Sequence, residues 1–130
     1  MSFDLTILQM ASGLAQHSGA RLSLVSQNIA NADTPGYTAR DLPDFGAAWA
    51  SSQSVQLSAT RAGHFGAVAG QPGTRATESA AFGSMSPNGN NVAIEDQMMR
   101  AAAIRQEHEL ALGVWSKSLD MLRTAIGKRR

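Results

Sequence analysis

The chain has 130 residues, with 11 lysines and arginines against 10 acidic residues, and a formal net charge of +1 offers no broad field for nucleic acid or an anionic membrane surface. Cysteine is absent, which excludes a disulfide framework and thiolate metal sites. Apolar residues make up 43% of the chain but aromatic ones only 5%, so the length supports one domain with a light core.

The first part of the chain reads as a helix. Its opening, MSFDLTILQMASGLAQHSGAR, contains Asp4, lacks an early Lys or Arg, and interrupts its apolar residues with Thr6, Gln9 and Ser12, so no cleaved secretory signal is expected. No run approaches the roughly 20 apolar residues that span a bilayer, and direct membrane insertion is not expected. Through residues 4–31 and on to Ala32, Leu8, Ala11, Ala15, Ser18, Leu22, Val25, Ile29 and Ala32 recur at alternating spacings of three and four. This is a heptad seam, and the small residues in it let a partner helix approach closely. Leu5, Met10, Leu14 and Leu24 lie off the seam and give the helix apolar surface on a second side. About 28 helical residues would extend roughly 42 Å, which is long for a compact domain of this size and suits a bundled or filamentous setting.

The stop of that helix is written in NIANADTPGY, residues 28–37. Pro35 disfavours helical geometry at Thr34, and Pro35-Gly36 is the central pair of a type II turn, with proline fixing φ and glycine supplying a positive one. Asn28 and Asn31 share a helical face, where their amides can satisfy the last carbonyls or the backbone of the turn, and Asp33 can form an Asx-type bond. Local chemistry leaves two readings open. The stretch is either a well-terminated helix or a device that fixes how the chain leaves a tightly packed helical layer.

Residues 38–91 are of another kind, punctuated by Gly46, Gly63, Gly66, Gly70, Gly73, Gly83 and Gly89 among serines and alanines. Leu42, Phe45, Trp49, Val55, Leu57, Phe65, Val68 and Phe82 are too few to build an independent core. Loops are expected here, with a short helix near 44–51 and a short strand near 54–60.

Residues 92–130 are helical again. Met98, Ala101, Arg105, His108, Leu112, Trp115, Leu119, Leu122 and Ile126 form one seam, and Ala103, Leu110, Val114 and Met121 form a stripe on another face. A helix apolar on two faces, in a chain without another large core, has more than one neighbour to touch, including other subunits. Asn90 or Asn91 can cap its start, Glu95 and Asp96 suit the positive end of the helix dipole, and Gly127 with Lys128, Arg129 and Arg130 marks its end. Arg105 is the awkward member of the seam, expected to reach a carboxylate on an adjacent helix or chain.

Asn28, Ala30, Asn31, Thr34, Pro35, Gly36 and Tyr37 match the pattern N-x-A-N-x-x-T-P-G-Y, and SQNIANADTPGY resembles the signature of the flagellar basal-body rod family, the axial proteins of the bacterial flagellum. NGNNVAIEDQMMRAA and HELALGVWSKSLDMLRTAI resemble the short, proximal-rod members, as does ATRAGHFG at 59–66. Similarity is strong over about residues 1–45 and 86–127 and weak between them; Asn88 departs from the Asp that relatives more often carry. The resemblance implies a mainly α subunit whose N- and C-terminal helices pair as a coiled coil and stack helically into a hollow rod. It also implies export through the flagellar type III apparatus without a cleaved signal, and a central region outside the helical layer. The partners implied are further copies of the chain and other rod and basal-body subunits.

Catalysis has little to stand on in the sequence. His17, His64 and His108 lie in separate segments without metal-type pairing, no serine sits in G-x-S-x-G, and the glycines at 63, 66, 70 and 73 follow no strong strand. Met98, Met99 and Met121 have the spacing of packing residues, not of a soft-metal surface. No enzyme activity, cofactor or metal is expected. The sequence reading is a structural subunit of the proximal rod, carried by Leu8, Ala15, Leu22, Val25 and Ile29 in the first helix and by Met98, Arg105, Leu112, Trp115, Leu119 and Leu122 in the second. Another short rod subunit, or a soluble coiled-coil export or regulatory adaptor, is the alternative.

Overall fold

The structure is a computed structural model and describes residues 2–52, 77–78 and 85–127. Two long helices dominate it: α1 spans Ser2–Ala30 and α3 spans Ile94–Gly127, with a short α2 at Phe45–Ser52. Strands β1 (Arg40–Asp41) and β2 (Thr77–Glu78) form a two-residue antiparallel ladder, Arg40 opposite Glu78 and Asp41 opposite Thr77. The mainly α architecture and the position of α2 agree with the sequence reading. The strand expected near 54–60, His64 and the basic tail at 128–130 lie outside the described residues.

The two long helices run antiparallel. Asn28, near the end of α1, meets Gln97, near the start of α3; Ser18 meets His108 midway; Ile7 shares a groove with Ser118. The buried residues of α3, Gln97, Ile104, Ala111 and Ser118, are seven apart, as are Ala11, Ser18 and Val25 on α1. A buried period of seven is the seam of a coiled coil. Most of these side chains are small, so the pair is held by close approach of the helices more than by bulky packing. Leu8, Ala15, Leu22 and Ile29 flank the α1 seam and are half-buried.

The paired face of α3 lies one residue round from the seam read in the sequence. That reading groups Met98, Arg105, Leu112 and Leu119 with Ala101, His108, Trp115 and Leu122. In the structure the preceding residues Gln97, Ile104, Ala111 and Ser118 are buried, whereas Met98 and Leu112 are 61% and 48% exposed. Arg105 is exposed as well, and Leu119 and Leu122 are half-buried. The physical reason is that α1 turns polar groups toward its partner. Its buried Asn28 amide bonds Gln97, while His108, a member of the predicted seam, keeps contact with α1: its Nδ1 lies 3.1 Å from the Ser18 hydroxyl and 3.2 Å from the Ala15 carbonyl, to which the N–H donates. An apolar residue at position 97 would leave one hydrogen of the buried Asn28 amide unpaired.

The short helix rests on α1 through a glycine. Ala48 N–H donates to Asp44 O at 3.0 Å to open α2. A Cβ on Gly13 would lie 3.3 Å from the Trp49 ring and 3.5 Å from that of Phe45, so the bare backbone is the seat for both rings. His17, 6% exposed, donates from Nε2 to Pro43 O at 2.9 Å and meets Phe45 edge-on at a centroid distance of 5.6 Å. Its Nδ1 is the one buried side-chain polar atom without a partner among the described residues.

Candidate functional site at the helix exit and along the helix pair

The last carbonyls of a helix lack intrahelical donors, and the exit of α1 is built around satisfying them. Tyr37 N–H donates to Thr34 O at 3.3 Å with Gly36 at φ 70, which closes the Thr34-Pro35-Gly36-Tyr37 turn as a type II geometry requires. Asn31 Nδ2 donates to Gln27 O at 2.8 Å, and its Oδ1 accepts the Thr34 hydroxyl at 3.2 Å. Ala30, Thr34, Pro35 and Gly36 are exposed, and Tyr37 is half-buried.

The carbonyls of the turn that follows the helix are met by a residue far along the chain. Asn90, 2% exposed, directs Nδ2 at the carbonyls of Asn31, Ala32 and Thr34 at 2.9, 2.8 and 2.8 Å, while its Oδ1 accepts Val92 N–H at 2.7 Å. Asn91 Oδ1 accepts Ala39 N–H at 2.6 Å, and Asn91 N–H donates to Tyr37 O at 3.3 Å. The sequence reading makes Asn90 or Asn91 an N-cap of α3. Instead α3 begins only at Ile94; Asn90 closes the exit of the other helix and Asn91 holds the segment at residues 37–39 that follows it. Sequence spacing could not reveal this, because the cap acts across more than 50 residues of chain.

Two glycines let the segments meet. Gly36 N–H donates to Asn88 O at 3.0 Å, and Gly89, at φ 80, passes so near that a Cβ on it would lie 3.5 Å from Gly36 Cα. Asn28 then ties the node to the helix pair. This side chain is 1% exposed; Nδ2 donates to Arg40 O at 2.8 Å and to Gln97 Oε1 at 3.0 Å, while Oδ1 accepts Arg40 N–H at 3.0 Å and the Tyr37 hydroxyl at 3.2 Å. Both hydrogens and both lone-pair directions of the amide are used. Three segments, from α1, from residues 37–40 and from α3, therefore share one side chain.

A charged cluster sits beside the node. Arg21 grips Asp41 with two bonds of 2.9 Å, Arg100 reaches the same carboxylate at 3.2 Å, and Arg100 also pairs with Asp96 at 2.8 Å. Burial pushes the Asp41 carboxyl up, but the hydrogen bond and charge of Arg21, the Leu42 N–H and the charge of Arg100 together hold it below the ordinary carboxylate value. The hydrogen bond to Asp41 likewise holds the Arg21 guanidinium above its ordinary value, against burial. The sequence reading misses Gln97, Arg21, Asp41 and Arg100. For Gln97, Arg21 and Arg100 the only sequence signal is a polar residue on a helix with an otherwise apolar face, which is common on solvated helices, and Asp41 is a single acidic residue in a short non-helical stretch.

Along the pair, large apolar side chains stand exposed on both sides of the seam. One flank of α3 carries Met98, Leu112 and Ile126, with Trp115 at its edge 42% exposed. The other carries Leu110, Val114 and Met121, which join Ile7 of α1 in a groove of about 530 Å³. Met10, Leu14 and Phe45 continue that groove toward α2. Among the described residues no group of histidine, aspartate and glutamate could hold a metal ion, and no helix is long and apolar enough to cross a membrane.

The family model described as Flagella basal body rod protein matches residues 8–38, which contain the α1 seam and the exit turn. The flagellar basal body rod protein FlgB of one Cereibacter sphaeroides strain is 38% identical over 109 residues, covering 82% of each chain. The FlgB of another strain of that organism is 37% identical over the same share, and that of Agrobacterium fabrum is 28% identical over 107 residues, covering 80% of each chain.

Proposed function

Because the chain belongs to the flagellar basal-body rod protein family, and is a structural subunit of that rod, we propose that it polymerises through the two apolar flanks of its helix pair. The observation that carries this reading is the distribution of side chains. Small and polar residues fill the seam within the subunit, while Met98, Leu112 and Trp115 on one flank and Leu110, Val114 and Met121 on the other stay in water. A single chain that leaves so much apolar surface uncovered gains stability when neighbours bury it, so ordering is coupled to assembly.

In this proposal residues 1–37 and 92–130 form one axial unit, residues 38–91 lie outside its helical layer, and the exit node sets the direction in which the chain leaves α1. The neighbours are further copies and other rod subunits. The chain reaches the periplasmic rod through the flagellar type III export apparatus without a cleaved signal, and its work is mechanical, with no catalytic step. Trp115→Ala tests the interface. Trp115 is partly exposed in the subunit, so folding should persist while a large packing group is lost at the contact. The expected result is normal subunit helicity with reduced rod assembly and motility; normal motility and rod yield would count against the flank as an interface.

A further inference from the structure

One exposed turn of the exit node carries a reactive dipeptide that the assembly reading does not use. We propose that Asn88–Gly89 is a deamidation site gated by the node, open to reaction in the unfolded chain and closed in the folded subunit. The chemistry requires an asparagine followed by a residue whose backbone nitrogen is unshielded, and glycine shields it least. Gly89 N loses its proton to solvent base and attacks Asn88 Cγ. A C–N bond forms, the bond to Nδ2 breaks, and ammonia leaves with a proton from water. Water then opens the cyclic imide at one of its two carbonyls, giving aspartate or isoaspartate. The net change is amide plus water to carboxylic acid plus ammonia, with no oxidation or reduction.

The fold holds back both partners in that attack. Gly89 N–H is donated to Ser86 O at 2.9 Å, and Ser86 N–H is donated to Asn90 O at 2.9 Å, so the nucleophile is locked in the turn. Asn88 Oδ1 accepts Asn90 N–H at 3.1 Å and Asn88 O accepts Gly36 N–H at 3.0 Å, which fixes the side chain and the backbone that would have to rotate. Asn88 itself is exposed, so water is at hand once these bonds open. The gate is thus the opening of the node, a local event that Asn90 opposes by holding three carbonyls of the α1 exit. The two products differ in consequence. Aspartate keeps an oxygen to accept Asn90 N–H, whereas isoaspartate adds a backbone carbon where Gly89 lies against Gly36, and cannot reclose the node.

The test is peptide mapping by mass spectrometry of the full chain after incubation at mildly alkaline pH, in buffer and in urea, beside folded Asn90→Ala. The peptide containing Asn88 is expected to gain the mass of NH2 replaced by OH in urea, at least about tenfold faster than in folded wild type, with Asn90→Ala in between. Asn28, Asn31, Asn90 and Asn91, each followed by a residue with a side chain, should stay amides under the same conditions. Asn88→Asp should fold with the circular dichroism and thermal midpoint of wild type. Equal rates in buffer and urea, or no reaction at Asn88 in urea, would overturn the proposal. If Asn90→Ala does not fold, the comparison between buffer and urea decides alone.

Discussion

Asn28 shows how much one side chain can be asked to hold. Its amide joins the Arg40 backbone, the Tyr37 hydroxyl and Gln97, and it is 1% exposed. Asn28→Ala removes the acceptor of Arg40 N–H and the donor to the buried Gln97 Oε1, and should cost about 2–4 kcal/mol of stability. Urea unfolding at one fixed protein concentration would measure it; a loss under about 1 kcal/mol would mean that water replaces the amide. In the sequence, Asn28 reads together with Asn31 as a residue that finishes the helix. Its bonding partners are not legible there, because Gln97 lies 69 residues away and nothing local distinguishes it from any solvated glutamine.

At the scale of elements, the period of the apolar residues locates both long helices, and NIANADTPGY locates the stop of α1. The register of α3 against α1 is not legible. Periodicity selects the largest apolar side chains, whereas the contact within the subunit uses Gln97, Ile104, Ala111 and Ser118. The pairing of the elements is reinforced by Asp41, which bonds Arg21 of α1 and Arg100 of α3. Because the folded Asp41 carboxyl lies below its unfolded value, its contribution is complete above the ordinary carboxylate range and is lost as pH falls through the folded value, below about pH 4. Thermal midpoints measured across that interval should therefore fall more steeply for wild type than for Asp41→Asn. Parallel curves would show that the clamp adds nothing to stability.

Considered whole, the subunit pairs a narrow seam of mostly small side chains, several of them polar, with two broad apolar flanks, and the flanks belong to its neighbours in the proposed rod. Leu110→Glu and Leu112→Glu place a charge on opposite flanks at residues 63% and 48% exposed, so each should leave the stability of the isolated subunit within about 0.5 kcal/mol. Both should abolish the growth of particles seen by light scattering at concentrations where wild type assembles, and a variant that still assembles would remove its flank from the interface. The sequence by itself determined the helical class, the two long elements, the turn at Pro35-Gly36 and membership of the rod family, because each is written in spacing or in a contiguous motif. Only the tertiary structure decided which face of α3 meets α1, that Asn90 closes the far helix, and that Asn28 and Asp41 each join segments distant in the chain. Those outcomes depend on satisfying buried polar groups across long separations, and a linear pattern carries no record of which donor will reach which acceptor.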